Sequence, residues 1–393
     1  MKIRNLNVWG WTPEMEENWK ERGQELMGEN NSTLFPARVI GQEHHVYLLA
    51  PGSAEMEAGE VEAGEVETGE VETGEVETAA VLRDPVAARI SGHFESRAEK
   101  SADYPAVGDW VAIRNEGGGS IIEEVLPRSS GLQRWAAGRK TEQQWMVSNL
   151  DYLLLVFGLD GGRNFLESML ERSLTTAWNS GAKPVIVLNK LDCADTGHVR
   201  RISAAASEIS FGVPVCAVSA HTGEGISRLT ELLRVTAGDS AVTLAMLGKS
   251  GVGKSAIVNA LQRESGSPAE SLVRAKEGTQ RKGDLQGRHT TTSGRIYPAG
   301  NRLLIADLPG LRELKIWGEE DTLDQSFPNI HELAEDCRFR DCRHEKEPGC
   351  AVKEAISDGR FSERRFQSYR KLLRELAYLE RRREQEARKA AKR

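Results

Sequence analysis

The segment Gly248-Lys-Ser-Gly-Val-Gly-Lys-Ser255 constrains this chain more than any other. It follows the apolar run VTLAMLG and leads into AIVNAL, so it has to be built as strand, loop and helix. Gly248, Gly251 and Gly253 let backbone N–H groups turn inward around α- and β-phosphates, with Lys249, Ser250 and Val252 completing the cradle. Lys254 reaches the β- and γ-phosphates, and the Ser255 hydroxyl can ligate magnesium. Buried-strand patterns alternate with helical ones around this loop: YLLLVFGL, a helix over 164–180, PVIVLN, a helix over 197–210, VPVCAVSA, a helix over 225–235, and later RLLIADL. That alternation predicts an α/β core with a mostly parallel sheet.

The phosphate loop leaves the base open, and a second motif addresses it. Asn189-Lys190-Leu191-Asp192 directly follows the strand pattern PVIVL. The Asp192 carboxylate can accept from both N1–H and the exocyclic amine of guanine, a pair of donors adenine lacks, so an adenine nucleotide would leave a desolvated carboxylate unpaired. Asn189 would tie the loop together, and the Lys190 stem would lie along the base face. Ser219-Ala220, after the next strand, matches a companion loop whose backbone N–H meets the guanine oxygen. Asp307-Leu-Pro-Gly310 reads as D-x-x-G, with Asp307 holding magnesium through water and the Gly310 N–H sensing the γ-phosphate. Gly287-Arg-His-Thr-Thr-Thr292 offers a threonine for the same magnesium, Thr291 in preference to Thr290. The predicted ligand is therefore GTP with magnesium. The base-reading motifs precede the phosphate loop, the reverse of ordinary Ras-like chains, which predicts a circularly permuted GTPase domain over 133–315.

At 393 residues the chain has room for two to four domains. No apolar run approaches the length of a membrane span, and the N-terminus turns polar before a signal-peptide core could form, so a cytoplasmic location without membrane contact is expected. Residues 34–132 carry short β-like runs (ARVIGQEHHVYLLA, ARISGHF, VGDWVAI, IIEEVL) broken by turn residues, as in a small barrel, preceded by an extension over 1–33 with Trp9, Trp11 and Trp19. Inside the barrel lies a GEVET-type repeat at 53–80 with ten Glu and no Lys or Arg, too polar to stack into a core and read as a solvated loop. It accounts for the formal charge of −7, and the rest of the chain is net positive. Residues 316–393 hold Cys337-x4-Cys342-x-His344-x5-Cys350, four ligands suited to a closed, structural zinc site, ahead of a basic helix starting near 362 whose Phe366, Tyr369, Leu372, Leu373, Leu376 and Leu379 form a packing stripe.

With VGDWV in the barrel, NLD before YLLLV, the permuted motif order, GRHTTT, and CRFRDCRHEKEPGCAV followed by RRFQSYRKLLREL, the chain resembles the ribosome small subunit-dependent GTPase A family over roughly residues 34–380. The resemblance implies an OB-type barrel that contacts ribosomal RNA, a permuted Ras-like P-loop GTPase centre and a zinc domain. It further implies action late in small-subunit maturation, with hydrolysis stimulated by that subunit. Three departures stand out: Leu308 where the family usually has threonine, the Glu-rich repeat, and the N-terminal piece with Trp9, Trp11 and Trp19. Leu311 occupies the position at which Ras-like proteins carry a water-orienting glutamine, so slow intrinsic hydrolysis is expected and His289 is the candidate for positioning the attacking water. The resemblance points to the same histidine. Alternatives at this stage are an assembly factor that uses GTP as a structural ligand, and a different ribosomal target. A monomer is the default.

Overall fold

The structure, a computed structural model, describes residues 6–30, 33–43, 46–50, 85–116, 119–135, 143–161, 164–235, 240–265, 294–300, 302–308 and 327–390. The Glu-rich repeat, His289, Thr290, Thr291 and Gly310 lie outside them. After a 3₁₀ turn at Leu6–Trp9 comes helix α1 (Pro13–Asn30), then strands β1 (Phe35–Glu43), β2 (Val46–Leu49) and β3 (Val86–Ile90), helix α2 (Gly92–Arg97), and strands β4 (Trp110–Glu116) and β5 (Gly119–Val125). Antiparallel β1–β2, β2–β3, β4–β5 and β1–β4 pairs and a parallel β3–β5 pair close these five strands into a barrel. Alternation along β1 explains its double burial: Phe35, Ala37 and Val39 fill the barrel with Leu49, Val111, Ile113 and Ile122, while Leu34 and Ile40 join the core beyond it. One expected strand is a helix instead. Ser91 accepts a hydrogen bond from the Phe94 backbone N–H at 3.0 Å, capping α2, so ARISGHF is strand only through Ile90.

A two-stranded ribbon of β6 (Gly131–Trp135) and β7 (Gln143–Ser148) leads into the α/β core. There β8 (Tyr152–Gly158), α3 (Glu167–Ser180), β9 (Lys183–Asn189), α4 (Thr196–Ser210), β10 (Val215–Ala217), α5 (Ile226–Arg234), β11 (Val242–Leu247), α6 (Lys254–Glu264), β12 (Arg295–Pro298) and β13 (Leu303–Asp307) follow in order. The sheet runs β10-β9-β8-β11-β13-β12, parallel except for β12. The strands are continuous apolar runs because both faces are covered. Leu153, Leu155, Phe157, Ile186 and Leu188 pack under α3 and α4 (Leu170, Leu174, Ala206, Ile209). Their alternate neighbours Leu154, Val156, Val185 and Val187 pack under α5 and α6 (Leu229, Leu233, Ile257, Leu261). Barrel and sheet are continuous through β1 and β12 at Gly41 and Arg295.

The expected N-terminal extension is part of this core. Trp9, Trp11 and Trp19 are buried in the cluster that also holds Trp110 of the barrel and Leu153 of the sheet. Asn7 accepts from the Ala241 backbone N–H at 2.7 Å, and Trp11 accepts from Ser240 Oγ at 2.8 Å. Arg38 is fully buried beneath them, donating to the Trp9 carbonyl and, at 3.1 Å, to that of Asn149, with its guanidinium 5.2 Å from the Trp110 ring centre. Burial lowers Arg38 only to about 10, so it stays charged at neutral pH and its carbonyl partners are charge-assisted.

Asp109, in the VGDWV turn, is a second buried anchor. Its carboxylate takes both Nε and Nη2 of Arg128 at 2.8 and 2.7 Å and the Ala106 backbone N–H at 2.7 Å, and it also accepts from Ser148 of β7. Arg128 in turn donates to the Ala102 and Tyr104 carbonyls. Removing one side of such a pair leaves the other charged and desolvated. Asp109→Ala is therefore expected to lower stability by about 3–5 kcal/mol, read as a reduced urea midpoint by tryptophan fluorescence, with an unchanged midpoint as the contrary result.

The C-terminal unit comprises α7 (Pro328–Glu335), α8 (Ala351–Ser357) and α9 (Glu363–Ala390). Phe327, Ile330, Val352, Ala355, Phe361, Phe366 and Leu372 form its core, with Tyr369 and Leu373 packed against them, which agrees with the expected stripe for the described side chains. Arg365 fastens it to the α/β core. Its guanidinium donates to the Glu208 and Ile209 carbonyls at 3.3 and 3.0 Å, the open end of α4, and lies 4.9 Å from the Phe211 ring centre. No local pattern in the chain signals this contact.

Candidate nucleotide and metal sites

In a parallel sheet the carboxyl ends of the strands, where the loops turn outward, form the natural ligand crevice. The phosphate-loop segment follows β11, Asn189–Asp192 follows β9, Ser219-Ala220 follows β10, and Asp307 ends β13, the parallel neighbour of β11. The structure therefore places every described motif residue at the same sheet edge. Leu308 beside Asp307 is buried, whereas Asp307 itself is exposed.

Asn189 is the keystone of the arrangement. Buried at 2% exposure, it donates through Nδ2 to the Val252 carbonyl of the phosphate loop at 2.9 Å and accepts through Oδ1 from the Ala220 backbone N–H at 3.1 Å. One amide thus joins three loops that are far apart in the chain, and aspartate could not replace it because it has no donor for Val252. The two glycines flanking Val252 are required for different reasons. Gly251 has φ +84° with open space where a Cβ would stand, so its demand is conformational: the loop turns through the left-handed region there. Gly253, with φ +96°, caps α6, and a side chain there would in addition collide with the Asn189 amide. Lys254 Nζ donates to the Gly248 and Lys249 carbonyls at 2.7 and 2.9 Å, which holds its ammonium against the phosphate loop.

The Asp192 carboxylate is placed by its neighbour. Ser219 Oγ donates to Asp192 Oδ1 at 2.5 Å, and this hydroxyl holds Asp192 below the usual carboxylate range, so it is ionised and acceptor-only at neutral pH. Ser219 Oγ also accepts from the Thr222 backbone N–H at 3.1 Å, which fixes the loop carrying Ala220. Lys190 adopts the left-handed conformation (φ 67°), and its Nζ meets Asp160 Oδ2 at 2.6 Å. Sequence reasoning missed Asp160 and also Asn164, which donates to Asp160. The available signal was Asp160 standing two residues past a buried strand, level with the motif.

In the C-terminal unit the ligand atoms of Cys337, Cys342, His344 and Cys350 all lie within 4.8 Å of one another. His344 Nδ1 is 3.6 Å from Cys337 Sγ and 3.3 Å from Cys350 Sγ, and the two sulfurs are 4.0 Å apart. Donors on a tetrahedron around an ion with 2.0–2.3 Å bonds stand about 3.5–3.8 Å apart, so the cluster fits a metal ion. Burial pushes the Cys342 thiol up to about 11, with the neighbouring Cys350 and Cys337 adding to the rise, a state that a cation would reverse. Burial also lowers the His344 imidazole, favouring the neutral form that ligation requires.

A family model described as RsgA GTPase matches residues 125–317. The small ribosomal subunit biogenesis GTPase RsgA 1 of Oceanobacillus iheyensis is 40% identical over 297 residues, 75% of this chain and 80% of its own length. This chain belongs to the RsgA GTPase family. It is accordingly a GTP-hydrolysing enzyme, and its motif order is the permuted one. The small ribosomal subunit biogenesis GTPase RsgA of Syntrophotalea carbinolica matches at 33% over 383 residues, 95% of this chain and 90% of its own, so likeness within the RsgA family extends well beyond the matched GTPase region. The crystal structure of YjeQ from Thermotoga maritima aligns with a TM-score of 0.58 and 26% identity, covering 88% of this chain and 99% of that one. YloQ, described as a circularly permuted GTPase, aligns at 0.56 and 21%, a likeness of fold, covering 88% and 95%. No helix among the described residues is long and apolar enough to cross a membrane.

Proposed function

We propose that this protein hydrolyses GTP in response to the small ribosomal subunit and acts late in that subunit's maturation. The observation that carries the nucleotide half is Asn189 joining the phosphate loop to the Ser219-Ala220 loop, which sets the two loops at a fixed separation suited to the base and phosphates of one ligand. In this reading the backbone from Gly248 through Gly251 to Ser255 and the Lys254 ammonium bind the phosphates, Asp192 reads guanine with the Ala220 N–H, and Ser255, Thr291 and Asp307 serve magnesium, which neutralises phosphate charge when bound. Gly310 senses the γ-phosphate. His289 positions the attacking water when the partner is bound.

The ribosomal half rests on the relatives, which are named small ribosomal subunit biogenesis GTPases, and on surfaces suited to RNA. The barrel order β1-β2-β3-β5-β4, closed by β1–β4 and with a helix between its third and fourth strands, supports an OB-type assignment. Arg338, Arg340 and Arg343 are exposed around the metal cluster, as are Arg381 and Arg388 on α9, where they can neutralise rRNA phosphates. Three thiolates and one imidazole in a closed set favour structural zinc, which would be held by Cys337, Cys342, His344 and Cys350. The domains follow as 34–132 barrel, 133–315 GTPase and 316–393 zinc unit after a 1–33 extension, whose Leu6, Trp9, Trp11 and Trp19 pack into the core shared by barrel and sheet; the protein works in the cytoplasm, as a monomer.

Turnover of GTP by the purified protein, with and without isolated small subunits and with ATP and large subunits as controls, tests this. Large stimulation by the small subunit alone, for GTP alone, is the expected result; GTP binding without stimulation overturns the partner. In the same assay His289→Ala is expected to keep GTP binding and lose most of the stimulated rate, about 10²-fold or more as for other water-positioning groups. An unchanged stimulated rate removes His289 from the mechanism.

A further inference from the structure

Asp160 belongs to none of the nucleotide motifs, yet it is fixed more firmly than an ordinary loop carboxylate. Gly158 of β8 is the parallel partner of Asn189 of β9, and the pairing continues one step further, the Leu159 backbone N–H donating to the Asn189 carbonyl at 2.8 Å. Asp160 therefore emerges beside Lys190 as a direct consequence of strand register. Its Oδ2 accepts from Lys190 Nζ at 2.6 Å and its Oδ1 from Asn164 Nδ2 at 2.8 Å, so both oxygens are committed. Partial burial opposes the charge, but the hydrogen bonds from Lys190 and Asn164 outweigh it and hold Asp160 below the ordinary carboxylate range. Space for this geometry comes from Gly158: a Cβ there would stand 2.6 Å from Asp160 Oδ1 and 3.2 Å from Asn164 Cβ.

We propose that Asp160, braced by Asn164, is a positioning residue that holds Lys190 in the conformation in which its stem covers the guanine face. The inference rests on the reading of Asn189, Lys190 and Asp192 as the base site. A lysine stem with four rotatable bonds gives up that freedom when it packs on a ligand, and one already ordered gives up less. The left-handed backbone at Lys190 turns the side chain out of the strand line, and the Asp160 carboxylate supplies a fixed end point for it. Asp160 thus raises nucleotide affinity through Lys190 without touching the reacting phosphate.

The competing account is a half-exposed ion pair with no consequence, which is common. Asp160→Ala, Lys190→Ala and the double variant of the full-length protein separate the two when titrated with fluorescent GDP and assayed for GTP turnover. Asp160→Ala is expected to weaken GDP binding and raise KM for GTP about tenfold with kcat changed less than twofold, and the double variant to be no weaker than Lys190→Ala. Asn164→Ala, which leaves the ion pair's atoms in place, is expected to weaken binding about threefold in the wild-type background and not at all beside Asp160→Ala. Unchanged affinity in Asp160→Ala, or losses that multiply in the double variant, overturns the proposal. Should Lys190→Ala itself bind GDP as the wild type does, the base-site reading fails instead, so the two failures are distinct.

Discussion

Cys350→Ala is expected to abolish metal binding by the Cys337–Cys350 cluster and unfold the C-terminal unit while the barrel and α/β core stay folded. The apolar core there is small, centred on Phe327, Ile330, Val352, Ala355, Phe361, Phe366 and Leu372, and Cys350 itself is buried within it. A core of that size does not hold a loop-built segment by burial alone. The four candidate ligands span Cys337 to Cys350 between α7 and α8, so a metal held there would tie the two helices together beside their shared apolar core. Structural zinc contributes about 10–16 kcal/mol in small metal-dependent folds, and losing one of four ligands forfeits most of it. Elemental analysis of the purified variant, together with the extent of proteolysis after residue 326, reads the outcome. Full zinc content with wild-type resistance would show that the sulfur is dispensable. Loss of this unit also removes Arg365 from the end of α4, so a chelator should loosen that helix in hydrogen exchange.

The second large effect is one of specificity. Asp192→Asn is expected to weaken GTP by about 10²–10⁴-fold, since two charge-assisted bonds to guanine are lost and an amide N–H₂ is set against ring donors. Xanthine carries a carbonyl where guanine carries the amine, so the same variant should gain affinity for XTP. Asp192 is exposed, and its bond from Ser219 can be kept by the asparagine oxygen, so no loss of stability should accompany the switch. Competition between labelled GDP and XDP decides it. Equal preference for GDP before and after substitution would take Asp192 out of base recognition.

Much of the site is legible in the sequence. Each described nucleotide motif follows a strand of the parallel sheet, and because parallel strands present their carboxyl ends to one edge, local pattern is enough to bring Asn189, Asp192, Ser219, Gly248 and Asp307 to that edge. The Cys337-x4-Cys342-x-His344-x5-Cys350 spacing likewise described a cluster that the chain closes within itself. The short helix α2 reads as strand in the sequence because its apolar pattern is brief, and the Ser91 cap that decides it is a single hydrogen bond.

How these pieces bear on one another is visible in the fold alone. Asn189 bonding to Val252, Asp160 to Lys190, Ser240 to Trp11 and Arg365 to the end of α4 all join residues far apart in the chain. Nothing in the local pattern encodes such pairs, because polar partners have no periodicity and meet only once sheet order and register are fixed. The tryptophan-rich N-terminus is the clearest case: three indoles that read as an appended segment are buried in the core shared by barrel and sheet, and the Trp9 carbonyl accepts from the buried Arg38. Residue type and spacing alone settle which chemistry is present and which strand end carries it. Which side chains hold that chemistry in place is settled by packing, because long-range polar contacts form only once the chain is folded.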